Sequence, residues 1–175
     1  GLKFYEFMPN GFVNVEPIIM KPESYEKLEN NLLMFYLGGT HSASAILKEQ
    51  SKNVQKIDKA AVQKKMCDIA RTLKNELQSN KVDAMGELLH ENWMLKRSLA
   101  SGISNPLIDE TYELAMRAGA TGGKLLGAGG AGFMIFYVPE EKHKSVKKAL
   151  SHLREMEFEM DNSGASIVMT DREFI

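Results

Sequence analysis

Residues 122–133 read GGKLLGAGGAGF, six glycines in twelve positions. Within them Gly127-Ala-Gly129-Gly130-Ala-Gly132 has the G-x-G-x-x-G spacing of a dinucleotide-binding turn. Such a turn needs a strand before the glycines, a helix after them and an acidic residue about 20 positions on. Here the order is reversed. A helical pattern ending near Gly119 precedes the glycines, and the strand-like run FMIFYV (133–138) follows. Counting on from Gly132 leads into a lysine-rich helical stretch with Leu150, Ser151 and His152 instead of an acid. A Walker loop also fails, because Leu125 stands where the motif needs a hydroxyl after Gly-Lys. What remains is a glycine-rich hairpin joining KLL to FMIFYV. About two or three glycines are enough for a turn, and the excess leaves chain entropy to overcome. Something must therefore approach the backbone closely: a phosphate, a substrate or a neighbouring loop.

Working outward, the flanks set the fold class. Upstream, Asn105 reads as an N-cap with Pro106 as the first helical residue, Asp109 and Glu110 near that helix start, and Gly119 as the stop. Before it, residues 82–100 carry Met85, Leu88, Leu89, Leu95 and Leu99 on one helical side. Earlier still, Val54, Ile57, Ala61, Val62, Met66, Ile69, Ala70, Leu73 and Leu77 follow three- and four-residue steps of a long helix broken by QSNK (78–81). Residues 42–50 read as a short helix with a hydroxyl-rich start, after the buried-strand run NLLMFYLGG (31–39). LKFYEF (2–7) and GFVNVEPIIM (11–20) flank the turn MPNG, which predicts a β-hairpin. Downstream, Pro139 and EEKHKSVKKALSHL predict an amphipathic helix with Val146, Ala149, Leu150 and Leu153 inward. MEFEM and ASIVMT are expected as two short closing strands. Strands, a helix block, then strand–helix–strand–strand is an α+β order with a largely antiparallel sheet packed with helices.

Composition removes several function classes. With 22 basic and 23 acidic residues the net charge is −1, which gives no global attraction to nucleic acid or an acidic membrane surface. Cys67 is the single cysteine, so no internal disulfide framework or cysteine-based zinc cluster is available, and a reducing compartment is the default expectation. No apolar run approaches the roughly 18 residues of a membrane span, and the N-terminus lacks the order of a signal peptide. The chain starts at Gly1 and enters a strand-like stretch at once, as a processed, trimmed or excised chain would.

GATGGKLLGAGGAGFMIFYVP (119–139) closely resembles the third conserved motif of the GHMP kinases, and GELLHENWMLKRSLASGISNPLIDETYELA (86–115) resembles their sugar-kinase branch, nearest its heptose-phosphate members. NNLLMFYLGGTHSASAILKEQ (30–50) is similar to the same branch. The resemblance implies a ferredoxin-like GHMP kinase C-terminal domain over residues 21–175, with residues 1–20 a hairpin remnant of, or link to, an N-terminal lobe. It implies a cytoplasmic enzyme that transfers phosphate from ATP with Mg2+ to a sugar phosphate, a heptose 7-phosphate, on the way to nucleotide-activated heptose. Fucose-type and mevalonate-type kinases, or a non-enzymatic ferredoxin-like binding module, stand beside that reading. The Gly-Leu-Gly-Ser-Ser phosphate loop of the superfamily does not occur in the 175 residues, and the catalytic Asp is expected upstream of Gly1. No catalytic residue and no metal ligand is therefore assigned to this chain, no cofactor is expected to bind it tightly, and it is expected to be inactive alone. The expected partners are the sugar phosphate, ATP and the N-terminal lobe of the same protein. An apolar face bared where that lobe belongs would favour a homodimer.

The resemblance assigns Gly123, Lys124, Gly127, Ala128, Gly129 and Gly130 to the phosphate and nucleotide loop, where backbone N–H groups can serve as preorganised donors. Ala131 replaces a common glycine of the motif. Substrate-binding candidates are Lys96 and Arg97, which suit a sugar phosphate, and Ser101, Ser104 and Asn105 at a helix start. Each has a plainer reading, as a solvated helix face or an ordinary cap. Thr40, His41, Ser42 and Ser44 form a second hydroxyl-rich start. Trp93 reads as core before sugar platform, His90 shares a helix face with Arg97, and Cys67 reads as a buried helix residue.

Overall fold

The computed structural model describes residues 1–39, 43–54, 57–127 and 129–165. The chain divides into two compact units, Ile19–Phe158 and Gly1–Ile18 with Glu159–Ile175. In the smaller unit, β1 (Lys3–Phe7) and β2 (Val13–Pro17) pair antiparallel, with Tyr5 opposite Val15 and Phe7 opposite Val13. The expected hairpin is there. Its turn is closed by Gly11 N donating to Met8 O and by Met8 N donating to Phe12 O.

The larger unit runs α1 (Pro22–Asn30), β3 (Leu32–Gly38), α2 (Ala43–Val54), α3 (Ile57–Gln78), α4 (Ala84–Arg97), α5 (Pro106–Ala118), β4 (Gly122–Leu125), β5 (Gly132–Tyr137), a 3-10 turn (Glu140–Lys142), α6 (His143–Ala149) and β6 (Arg154–Met156). The sheet order is β4-β5-β3-β6, antiparallel throughout. Strands β5 and β6 both flank β3 and are joined through α6, a split β-α-β unit of the ferredoxin-like kind.

Period-two alternation decides which side chains enter the core. Leu33 and Phe35 of β3 lie opposite Phe136 and Met134 of β5, and Leu125 of β4 lies opposite Met134. All five are buried, and Trp93, Ile103, Ile108, Tyr112, Val146 and Leu150 from the helices and loops join them in one cluster. Phe136 meets Phe35 edge-on at 6.3 Å and Tyr112 at 5.8 Å between ring centroids. Helix α4 crosses β4 through glycine. A Cβ on Gly122 would stand 1.8 Å from the carbonyl oxygen of Gly86, so only paired glycines allow helix and strand to approach this closely. Beside the same contact Asn31 Nδ2 donates to Tyr137 Oη, which donates to Asp83 Oδ1, while Lys27 pairs with Asp83 at 2.6 Å. Lys27 and then Tyr137 hold the Asp83 carboxyl below the usual range.

Helix α5 forms as its sequence dictates: Asn105 Oδ1 accepts from Ile108 N at 3.1 Å, Pro106 is the first helical residue, and Gly119 closes it with φ of 117°. Other expectations need correction. Val54 ends α2 and does not begin the long helix. The closing strand is Arg154–Met156, not MEFEM, because pairing with β3 uses Met34 to Tyr36 and stops there. The strand expected over residues 165–170 lies outside the described residues, apart from Ala165, which is in no strand. Cys67 is exposed on α3 instead of buried. Ala61 and Ala70 are exposed too, so the inward stripe of α3 is narrower than the apolar spacing implies. Helix α1 has no counterpart in the sequence reading. Its signals are Pro22 at the first turn, Glu23 behind it and a single buried residue, Leu28, too sparse for a periodicity argument.

Candidate functional site

The glycine loop joins β4 to β5 and is closed by Leu126 N donating to Phe133 O at 2.8 Å. Gly127, Gly129, Gly130 and Gly132 all have positive φ, between 79° and 119°. Two of these glycines answer to a neighbouring loop. A Cβ on Gly129 would stand 2.7 Å from the Cα of Ile103, Gly130 N donates to Ile103 O at 3.1 Å, and Asn105 Nδ2 donates to Gly130 O at 2.9 Å. The loop is therefore pinned against the segment entering α5. At Gly127 an added Cβ would meet nothing within 4 Å, and the residue is exposed. An added Cβ on Gly132, at the start of β5, would likewise meet nothing within 4 Å.

The candidates named from sequence fall into three groups. Lys96 and Lys124 stand at the loop: Lys96, half-buried near the end of α4, donates Nζ to Gly127 O at 2.7 Å. Burial, followed by the charge of Lys124, lowers the Lys96 amine to about 8, and burial lowers Lys124 as well. A second group builds the wall behind the loop. Asn105 uses its oxygen to cap α5 and its amide to hold Gly130. Ser104 Oγ donates to Asp109 Oδ1 at 2.6 Å, and Arg97 Nη2 pairs with the same oxygen at 2.8 Å. Ser101 donates both N and Oγ to the Glu49 carboxylate of α2. The third group stands apart: Gly123 is buried in β4, where a Cβ would stand 2.5 Å from the ring of Phe136. Ala128, Thr40, His41 and Ser42 lie outside the described residues, and Ser44 is exposed in the first turn of α2. Gly39, just before the hydroxyl run, would bring a Cβ within 3.4 Å of Ala131, so the end of β3 borders the same loop.

Trp93 is fully buried, as the core reading expects. His90 Nδ1 and Tyr112 Oη are 2.8 Å apart, and burial pushes the Tyr112 hydroxyl up to about 12. They line a groove of about 420 Å3 between α4 and α5 with Met94, Arg97, Glu113 and Met116. Sequence reasoning missed Tyr112, Glu49 and the bridging role of Asp109. Only the place of Asp109 near the start of α5 was visible, because the chain does not show which side chains reach it. Among the described residues no group of three His, Cys, Asp or Glu could hold a metal ion.

Residues 73–157 match the family model described as GHMP kinases C terminal. The D-glycero-alpha-D-manno-heptose 7-phosphate kinase of Campylobacter jejuni is 27% identical over 150 residues, covering 86% of this chain and 44% of that protein. The bifunctional fucokinase/GDP-fucose pyrophosphorylase of Arabidopsis thaliana is 26% identical over 167 residues, covering 93% of this chain and 16% of that protein. Among solved structures, the Methanococcus jannaschii mevalonate kinase superposes with a TM-score of 0.61 at 29% identity, over 85% of this chain and 44% of that one. The L. major mevalonate kinase in complex with R-mevalonate reaches a TM-score of 0.70 at 18% identity, over 86% of this chain and 44% of that one, a likeness of fold alone. The chain spans less than half the length of the curated relatives it matches.

Proposed function

We propose, from the match of residues 73–157 to the family model described as GHMP kinases C terminal, that this chain is the C-terminal portion of an ATP-dependent kinase acting on a sugar phosphate. The acceptor we assign is D-glycero-D-manno-heptose 7-phosphate, phosphorylated at O1 for nucleotide-activated heptose and surface polysaccharide. The observation that carries phosphoryl chemistry is the glycine loop, pinned by Ile103 and Asn105 while Gly127 stays open to a ligand. A rigid loop of this kind holds charge without reorganising as the reaction proceeds.

ATP would supply the transferred phosphoryl group, with magnesium held by residues outside this chain. The chain's own residues orient. Gly127 and Lys96 with Lys124 face the phosphates, while Ser101, Ser104, Asn105 and Arg97 hold the wall behind them. The phosphate loop and catalytic Asp belong to an N-terminal lobe of the same protein, so this chain alone forms no ADP. No described helix is long and apolar enough to cross a membrane, and the proposed enzyme works in the cytoplasm.

The specific rival is a fucose-type kinase, favoured by identity to the Arabidopsis protein across 93% of the chain. ADP release by the intact protein, measured over heptose 7-phosphate, fucose and mevalonate, separates them. Heptose 7-phosphate is expected to turn over at least about tenfold faster than the others, a gap of roughly 1.4 kcal/mol in barrier. Fucose as the best acceptor moves the protein to the rival class. ADP formation by the 175-residue chain alone, free of contaminating kinase, would sink the assignment of the catalytic groups to another lobe.

A further inference from the structure

Sequence alone sends Lys96 and Lys124 to different ligands, one to the substrate phosphate and the other to the nucleotide. The fold brings them together. Gly86 of α4 lies against Thr121 and Gly122 at the start of β4, and Lys96, ten residues on, reaches Gly127, five residues beyond Gly122. Lys96 near the end of α4 therefore meets the loop just past the end of β4 at Leu125, so helix and strand run the same way to the mouth of the loop. Lys124 shares with Gly122 the face of β4 that meets α4, because alternate residues of a strand point the same way. Both lysines are half-buried. Among the described residues neither has a carboxylate partner, and the charge that Lys96 feels is that of Lys124. Arg97, the neighbouring cation, is already taken by Asp109.

Two half-buried cations without a counter-charge repel each other and lose solvation. An anion between them offsets both costs. We propose that Lys96 and Lys124 form one clamp that seats a single phosphoryl dianion over the open side of Gly127. The clamp rests on the kinase reading only for the source of that group, nucleotide or sugar phosphate.

The test is a pH titration of the lysine side-chain NMR signals of the 175-residue chain, with and without pyrophosphate. Free, Lys96 titrates near pH 8. With pyrophosphate its midpoint is expected to rise by at least about one unit, roughly a tenfold preference of the anion for the charged form. K124M raises the midpoint of the free protein by removing the like charge, and weakens the pyrophosphate response about tenfold or more. A parent chain whose two lysines do not respond to pyrophosphate overturns the clamp. So does a K96M/K124M chain that binds pyrophosphate as tightly as the parent. ADP and glucose 6-phosphate then assign the source: whichever shifts both lysines supplies the group. The clamp and the kinase reading fail separately. Pyrophosphate binding without phosphate transfer by the intact protein keeps the clamp and removes the kinase, while transfer undiminished in K96M/K124M keeps the kinase and removes the clamp.

Discussion

Lys96 carries its charge under a constraint that depends on pH. Its amine titrates at about 8 in the fold against 10.5 for an ordinary lysine, first because it is partly buried and then because Lys124 stands near it. Between those two values the folded chain binds fewer protons at this residue than the unfolded chain. Linkage then makes stability rise with pH across that window, with the penalty fully present below about 8. The charged groups around Lys96 are Lys124 on β4 and, one residue along, Arg97 held by Asp109. Urea denaturation at several pH values should show K96M lacking part of the rise that the parent gains above pH 8. Parallel curves for the two proteins would mean that Lys96 titrates as an exposed lysine. Gly129 makes a different point at the same scale. Its positive φ and the 2.7 Å approach to Ile103 show that one glycine of the motif packs against a neighbouring loop, one of the three causes the glycine excess left open.

At the scale of elements, α5 and the glycine loop are coupled through one side chain. Asn105 caps the helix with its oxygen and holds Gly130 O with its amide nitrogen. Asn105→Ala removes both and is expected to cost about 0.5–2 kcal/mol in urea denaturation, the usual range for losing an N-cap. Asn105→Asp retains the capping oxygen but loses the amide donor, so it should keep most of that stability while amide exchange at Gly130 accelerates. Equal losses in the two variants would show that the cap and the loop are not separable. Much of this layer was legible beforehand. The cap, Pro106 and the Gly119 stop are local signals, and the hairpin strands on either side of the glycines are apolar runs with clear breaks. Helix α1 was not legible, because one buried leucine in nine residues makes no stripe. Nor were the true end of α2 or the place of β6, since residue pairing across the sheet decides the latter.

At the scale of the whole molecule, the smaller unit bares an apolar row. Tyr5, Phe7, Val13 and Val15 share one face of the hairpin, and Phe7 is 78% exposed. A contiguous apolar face of this sort calls for cover, and the N-terminal lobe is the cover proposed here. Without it, the chain is expected to self-associate at high concentration in sedimentation or size-exclusion experiments, and Phe7→Asp should return it to monomer. A parent chain that stays monomeric would remove self-association as the consequence of this face. Local sequence determined the α+β class, the hairpin, the capped helix and the motif that points to phosphoryl transfer. Capping, period-two alternation and glycine turns are set by residues within a few positions of one another. Only the tertiary structure decided what the residues of the motif and its surroundings do: Gly123 and Gly129 pack, Asn105 and Arg97 are committed to Gly130 and Asp109, and Lys96 reaches the carbonyl of Gly127. Those meetings depend on how α4 lies along β4 through Gly86 and Gly122, a contact between residues 36 positions apart in the chain.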